Sequence, residues 1–132
     1  MLDELKPGLI GEAEVIVTEQ MTAASAGSGL VPVFATPWMI AMMENASVHA
    51  IQKCFAPGQT SVGIQVSISH LAATPIGMRV RARAQVTVVD GRRVSFQVEA
   101  WDEKEKIGEG THARAIIDEK KFMDKVAQKS GQ

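Results

Sequence analysis

Residues 33–54 read VFATPWMIAMMENASVHAIQKC. Thr36 stands where a helix N-cap is expected and Pro37 at the first helical position, a preferred pairing. Pro57-Gly58 makes a turn that ends the segment near Phe55. The roughly 17 residues between these marks are too many for a strand and predict a helix. It is apolar on nearly every face, which places it inside a larger structure. Glu44 sits in its middle. A carboxylate is costly to bury unless paired, hydrogen-bonded or neutralised. Such conflicts between local rule and residue type gather at functional sites, so Glu44 is a first candidate.

Around this helix the pattern has period two. Upstream, residues 11–19 (GEAEVIVTE) predict a strand. Residues 20–35, with Gly27, Ser28, Gly29 and Pro32, predict a long loop, which in a compact domain is usually functional or disordered. Downstream, residues 61–72 (SVGIQVSISHLA) predict a strand carrying Val62, Ile64, Val66, Ile68 and His70 on one face. Residues 78–89 alternate, with Met78, Val80, Ala82, Ala84, Val86 and Val88 opposite Arg79, Arg81, Arg83, Gln85 and Thr87. Asp90-Gly91 signals a hairpin. Residues 92–102 return with Val94, Phe96, Val98 and Ala100 inward. A second hairpin at Glu103–Lys106 leads to a last strand, 107–118, with Ile107, Thr111, Ala113, Ala115 and Ile117 in one register. Residues 119–129 predict a short charged helix, Phe122 and Val126 sharing a side.

The order is strand, long loop, buried helix, then four strands in meander. Helix and strands segregated in this way predict an α+β domain with an antiparallel sheet of about five strands. One long helix across one such sheet is the hotdog arrangement, with residues 1–132 as a single domain. Sheet edges and an exposed sheet face need cover, so a homodimer is expected, with a higher oligomer left open.

Composition narrows the function. Apolar residues make up 45% and charged residues 22%, an ordinary globular balance. A formal net charge of −1 offers no footprint for nucleic acid or an anionic membrane. No run approaches the roughly 20 apolar residues needed to span a bilayer. The start, MLDELKPG, lacks the basic region and apolar stretch of a signal peptide. The single cysteine, Cys54, cannot form an internal disulfide, which favours a reducing cytoplasm. His49, His70 and His112 are scattered without zinc-ligand spacing, so neither a metal nor another cofactor is expected.

Three residues could carry chemistry. Glu44 has no charged turn-neighbour among Ile40, Ala41, Ser47 and Val48, which leaves it without a partner on its own helix. A desolvated carboxylate is suited to general-base work. His70 lies on the apolar strand face and could meet Glu44 if the helix packs there, giving a pair able to move protons at neutral pH. Thr36 sits at the helix mouth, where N–H groups point outward at a natural anion or oxyanion site. One spacing stands out: eight residues, about 12 Å of helix rise, separate Thr36 from Glu44. A bridging substrate, a partner subunit or a later helix start would be needed to join them. His112 and Arg114 share a face of the last strand, where a solvent-facing or interface position is the plain reading. Arg114 could instead meet a carboxylate or phosphate. The Arg79, Arg81, Arg83 stripe reads as a solvated face, the methionines as core filler and Cys54 as inert packing.

The segments VFATPWMIAMMENAS, SVGIQVSISHLAATPIGMRVRA, VVDGRRVSFQVEAWD and IGEGTHARAII resemble hotdog-fold acyl-CoA thioesterases, nearest the fluoroacetyl-CoA thioesterase group. The likeness spans residues 8–125. It implies a catalytic Thr, Glu and His at Thr36, Glu44 and His70. It also implies a backbone contact to the acyl group at Gly63 and a substrate-binding arginine at Arg114. A dimer with two sites at the subunit interface is implied as well, and an acyl pocket lined by the loop before the helix. Here that loop is rich in Ala, Gly and Ser, so a fluorinated acyl group is not carried over. The expected activity is hydrolysis of a small acyl-CoA. An acyl-CoA hydratase or dehydratase and a non-catalytic acyl-CoA or small-ligand binder are the alternatives.

Overall fold

The computed structural model describes residues 2–131. In chain order it contains β1 (Ile10–Ile16), α1 (Thr36–Ile51), β2 (Gln59–His70), β3 (Arg79–Asp90), β4 (Arg93–Trp101), β5 (Lys106–Asp118) and α2 (Glu119–Lys129). Short 3-10 turns occupy Glu19–Met21 and Gln52–Cys54. The strands form one antiparallel five-stranded sheet in the order β1-β3-β4-β5-β2. This is the hotdog arrangement, α1 lying across the sheet.

The meander holds only for β3, β4 and β5. Residues 71–78 do not close a hairpin; they carry the chain past the sheet, so β2 pairs with β5 and β1 with β3. Both β1 and β2 are therefore edges. Among the described residues no helix is long and apolar enough to cross a membrane.

Helix α1 is buried on one stripe rather than all round. Met39, Met43, Ala46, Ser47, Ala50 and Ile51 face the sheet, while Trp38, Ala41, Asn45 and His49 are exposed. The stripe packs on Val80, Ala82, Ala84, Val94, Phe96, Val98 and Ala100, the inward residues of β3 and β4. Each large side chain buried in this way contributes about 1.5–3 kcal/mol. Close approach depends on Gly11: a Cβ there would collide with the backbone of Ala46 and Ala50.

Two β-bulges interrupt the period-two pattern. One at Thr87 leaves Val88 53% exposed and turns Val89 toward the core. The other, at Ile64, shifts the β2–β5 register between Gly63 and Gln65. Beyond it Val66, Ile68 and His70 share one side, as the alternation predicts. Before it Ser61 and Gly63 take the inward side and Val62 the outer one, the reverse of the expected faces. On β5 the register facing α1 holds Gly108, His112 and Arg114, rather than leaving the last two to solvent.

Candidate active site

The start of α1 is stitched to the end of β2. Phe34 N–H donates to the Thr74 carbonyl at 2.8 Å, and Val33 bridges Pro75. Thr74, fully buried, donates its hydroxyl to Asp102 Oδ2 at 2.8 Å, which ties the 71–77 segment to the β4–β5 turn. These contacts place Thr36 beside His70. Thr36 Oγ1 lies 2.7 Å from His70 Nδ1.

Thr36 is not the helix cap. Ala35 holds that position with no side-chain bond, and Thr36 is the first helical residue. Its hydroxyl is spent on the histidine instead. His70 Nε2 is buried and has no hydrogen-bond partner among the described residues. Burial lowers the His70 pKa, with the Ala72 backbone pulling weakly the other way, so the ring favours its neutral form. The pair lines a cavity of about 360 Å³, together with Ala23, Ser28, Val33 and Phe34 from the loop and helix approach and Leu71, Ala72 and Ala73 beyond β2.

Glu44 belongs to a different cluster. No hydrogen bond or ion pair joins it to His70 among the described residues. Its Oε2 lies 3.7 Å from Arg114 Nη1, and its side chain is 39% exposed rather than sealed in the core. Its partner is thus supplied by β5, where neighbours along the helix offered none. Arg114 is only 7% exposed and heavily bonded. Its Nε donates to Ser61 Oγ at 2.8 Å, Nη2 to the Ser61 carbonyl at 3.0 Å, and Nη1 to His112 Nε2 at 3.2 Å. Burial lowers the guanidinium pKa while Glu44 raises it. Gly63 abuts this cluster: a Cβ there would lie 2.8 Å from Glu44 Oε2 and 3.2 Å from His112 Cε1.

The five candidate residues thus fall into two groups, Thr36 with His70 and Glu44 with Arg114 and Gly63. Strand β2 carries a member of each. The sequence pattern reads His112 as a solvent-facing or interface position and does not single out Ser61. Both prove to be buried partners of Arg114. The G-T-H-x-R spacing, which puts His112 and Arg114 on one face, was the available signal.

The weaker candidates resolve as structural. His49 Nδ1 bonds the Glu12 carbonyl at 2.7 Å. Arg79 pairs with Glu14 at 3.8 Å and Arg81 stacks over Trp101 at 5.4 Å. Burial, with Asp3 adding to it, pushes the Cys54 thiol up, away from nucleophile character. No cluster of three or more His, Cys, Asp or Glu suited to a metal occurs among the described residues.

Known proteins share this architecture. A crystal structure of a point mutant of FlK, the fluoroacetyl-CoA-specific thioesterase, is 36% identical; it superposes with a TM-score of 0.90 over 96% of this chain and 98% of that one. A thioesterase superfamily member from Thermus thermophilus is 32% identical, with a TM-score of 0.91 over 98% of this chain and 96% of that one. In sequence, the fluoroacetyl-CoA thioesterase of Streptantibioticus cattleyicolor is 45% identical over 98 residues, 74% of this chain and 70% of that protein. Fold and relatives together define a hotdog-fold thioesterase, an acyl-CoA thioester hydrolase. Within that class the chain belongs to the FlK family of fluoroacetyl-CoA-specific thioesterases, which it matches over residues 17–120.

Proposed function

We propose that this chain hydrolyses the thioester of a small acyl-CoA to free acid and CoA, with Thr36, Glu44 and His70 as its catalytic set and Gly63 and Arg114 contacting the substrate. The observation that carries the reading is the Thr36–His70 hydrogen bond in the wall of a cavity of about 360 Å³. A cleft of that volume has room for the acyl end of a CoA thioester. A neutral imidazole held by a hydroxyl at one nitrogen leaves the other for proton transfer.

In this mechanism Glu44 takes a proton from water as the oxygen adds to the thioester carbonyl carbon. The tetrahedral intermediate is steadied by backbone N–H groups. The carbon–sulfur bond then breaks. The proton held by Glu44 is relayed by water across the gap that the substrate spans to His70 and on to the leaving thiolate, so both groups end as they began. Direct attack by Glu44 on the carbonyl is the covalent variant of the same scheme.

The two residue groups need something between them. The helix begins at Thr36, so a later start does not close the gap. The reading includes a homodimer: edge strand β2 leaves Ile64 47% and Val66 43% exposed on the stretch between Gly63 and His70. A second subunit against β2 would cover this surface and enclose the site; a reducing cytoplasm is the setting expected for it.

The test is release of free thiol from a panel of short, branched, aromatic and halogenated acyl-CoAs. Thiol release from at least one short acyl-CoA is expected, abolished by Glu44→Gln and by His70→Ala in folded protein. Wild-type turnover in either variant removes the assignment. Hydration without thiol release would instead mark a hydratase, and ligand-induced thermal stabilisation without turnover a binder.

A further inference from the structure

We propose that His112 is a positioning residue: it holds the Arg114 guanidinium in the orientation that keeps Nη1 beside the Glu44 carboxylate. The inference rests on the reading of Glu44 as the residue acting at the thioester.

His112 is 1% exposed and stacks on Phe96, ring centroids 5.9 Å apart at 25°. Its Nδ1 lies 2.8 Å from the Gln65 carbonyl, a group that can only accept, so Nδ1 carries the proton. Nε2 then presents a lone pair to Arg114 Nη1, which can only donate, at 3.2 Å. Each neighbour therefore selects the same neutral tautomer. A second proton on the ring would set N–H against N–H. Burial is the largest effect and lowers the His112 pKa; the Gln65 carbonyl raises it, the Arg114 charge lowers it further and Glu44 raises it least.

The consequence falls on the guanidinium. Ser61 holds Nε and Nη2 along one edge, and His112 takes one of the two Nη1 hydrogens. The same Nη1 lies 3.7 Å from Glu44 Oε2, an ion-pair contact longer than a hydrogen bond. The Gln65 carbonyl that orients His112 lies next to the Ile64 bulge. Glu44 is partly exposed and has no other ion-pair partner among the described residues, so its placement depends on a cation that is itself fixed.

The experiment compares His112→Leu, which fills the space without an acceptor, with His112→Gln, whose amide oxygen can accept from Arg114. For His112→Leu, kcat should fall on the order of ten- to a hundredfold, the cost seen when groups that orient a metal ligand are lost. KM should rise as well, since the guanidinium that His112 holds is also the proposed substrate contact. His112→Gln should recover most of the loss. In an Arg114→Lys background, His112→Leu should cost little more, because the group it positions is already gone. Unchanged kcat in folded His112→Leu overturns the inference, as does a loss that simply multiplies with that of Arg114→Lys. Glu44→Gln serves as reference: activity there defeats the catalytic reading itself, while a dead Glu44→Gln beside an unaffected His112→Leu defeats only the role given to His112.

Discussion

Thr36 Oγ1 and His70 Nδ1, 34 residues apart in sequence, are hydrogen-bonded at 2.7 Å. The bond joins the first residue of α1 to the last residue of β2. Thr36→Val keeps the side-chain shape and removes the bond. The bond is part-buried, and its loss leaves His70 Nδ1 without a partner, at a cost of about 1–3 kcal/mol, so the melting temperature should drop by several degrees. Turnover should fall roughly a hundredfold, the low end of what acid–base groups supply. Thr36→Ser should restore most of it. Steady-state kinetics beside a thermal melt check both.

The pH dependence of stability follows from two histidines. Burial lowers both His70 and His112 from the ordinary 6.5. In the unfolded chain each returns to that value, so below it the unfolded state binds more protons than the native one. Stability contributed this way is fully present above about pH 6.5 and is lost as pH falls through the lower native values. Melts should be level between about pH 7 and 8 and decline below about pH 6. The decline should be shallower in His112→Gln. An equally steep decline in that variant would assign the pH dependence to other groups.

Gly63→Ala should separate activity from stability. The added methyl would lie 2.8 Å from Glu44 Oε2, the far end of a flexible, partly exposed side chain. That carboxylate can swing away, and the buried His112 ring, 3.2 Å from the methyl, must give by a few tenths of an ångström, so the chain should fold with only a modest drop in melting temperature. The displaced carboxylate would no longer meet the substrate in place, and a misplacement of about 1 Å can cost on the order of a hundredfold in rate. A kcat within twofold of wild type would show that Glu44 tolerates the shift.

Gly11→Ala should do the opposite. Here the obstacle is the α1 backbone at Ala46 and Ala50, which cannot rotate aside. Helix and strand must separate, at roughly 1–3 kcal/mol or more. Urea denaturation should show a lower midpoint with an unchanged slope.

Much of the hotdog fold was legible in the chain itself. Hydrophobic periodicity is local, so it marked α1 between Pro37 and Pro57-Gly58, the strands on either side and α2 after Asp118. The hairpin at Asp90-Gly91 followed from turn chemistry alone. Residue type also singled out Glu44, His70 and Thr36, because each conflicts with or interrupts an apolar pattern. Strand order was not legible: pairing β2 with β5 is decided by how the sheet curls around α1, and no local residue encodes it. The bulges at Ile64 and Thr87 reversed faces that strict alternation had assigned, since one extra residue inverts every position on one side of it. Tertiary structure alone decided partners. It gave Thr36 to His70 and Glu44 to Arg114, and it buried His112 between a carbonyl and a guanidinium. The long apolar helix with one glutamate is a property of the sequence; the cation that meets that glutamate comes from a strand 70 residues further on, and only packing brings the two to 3.7 Å.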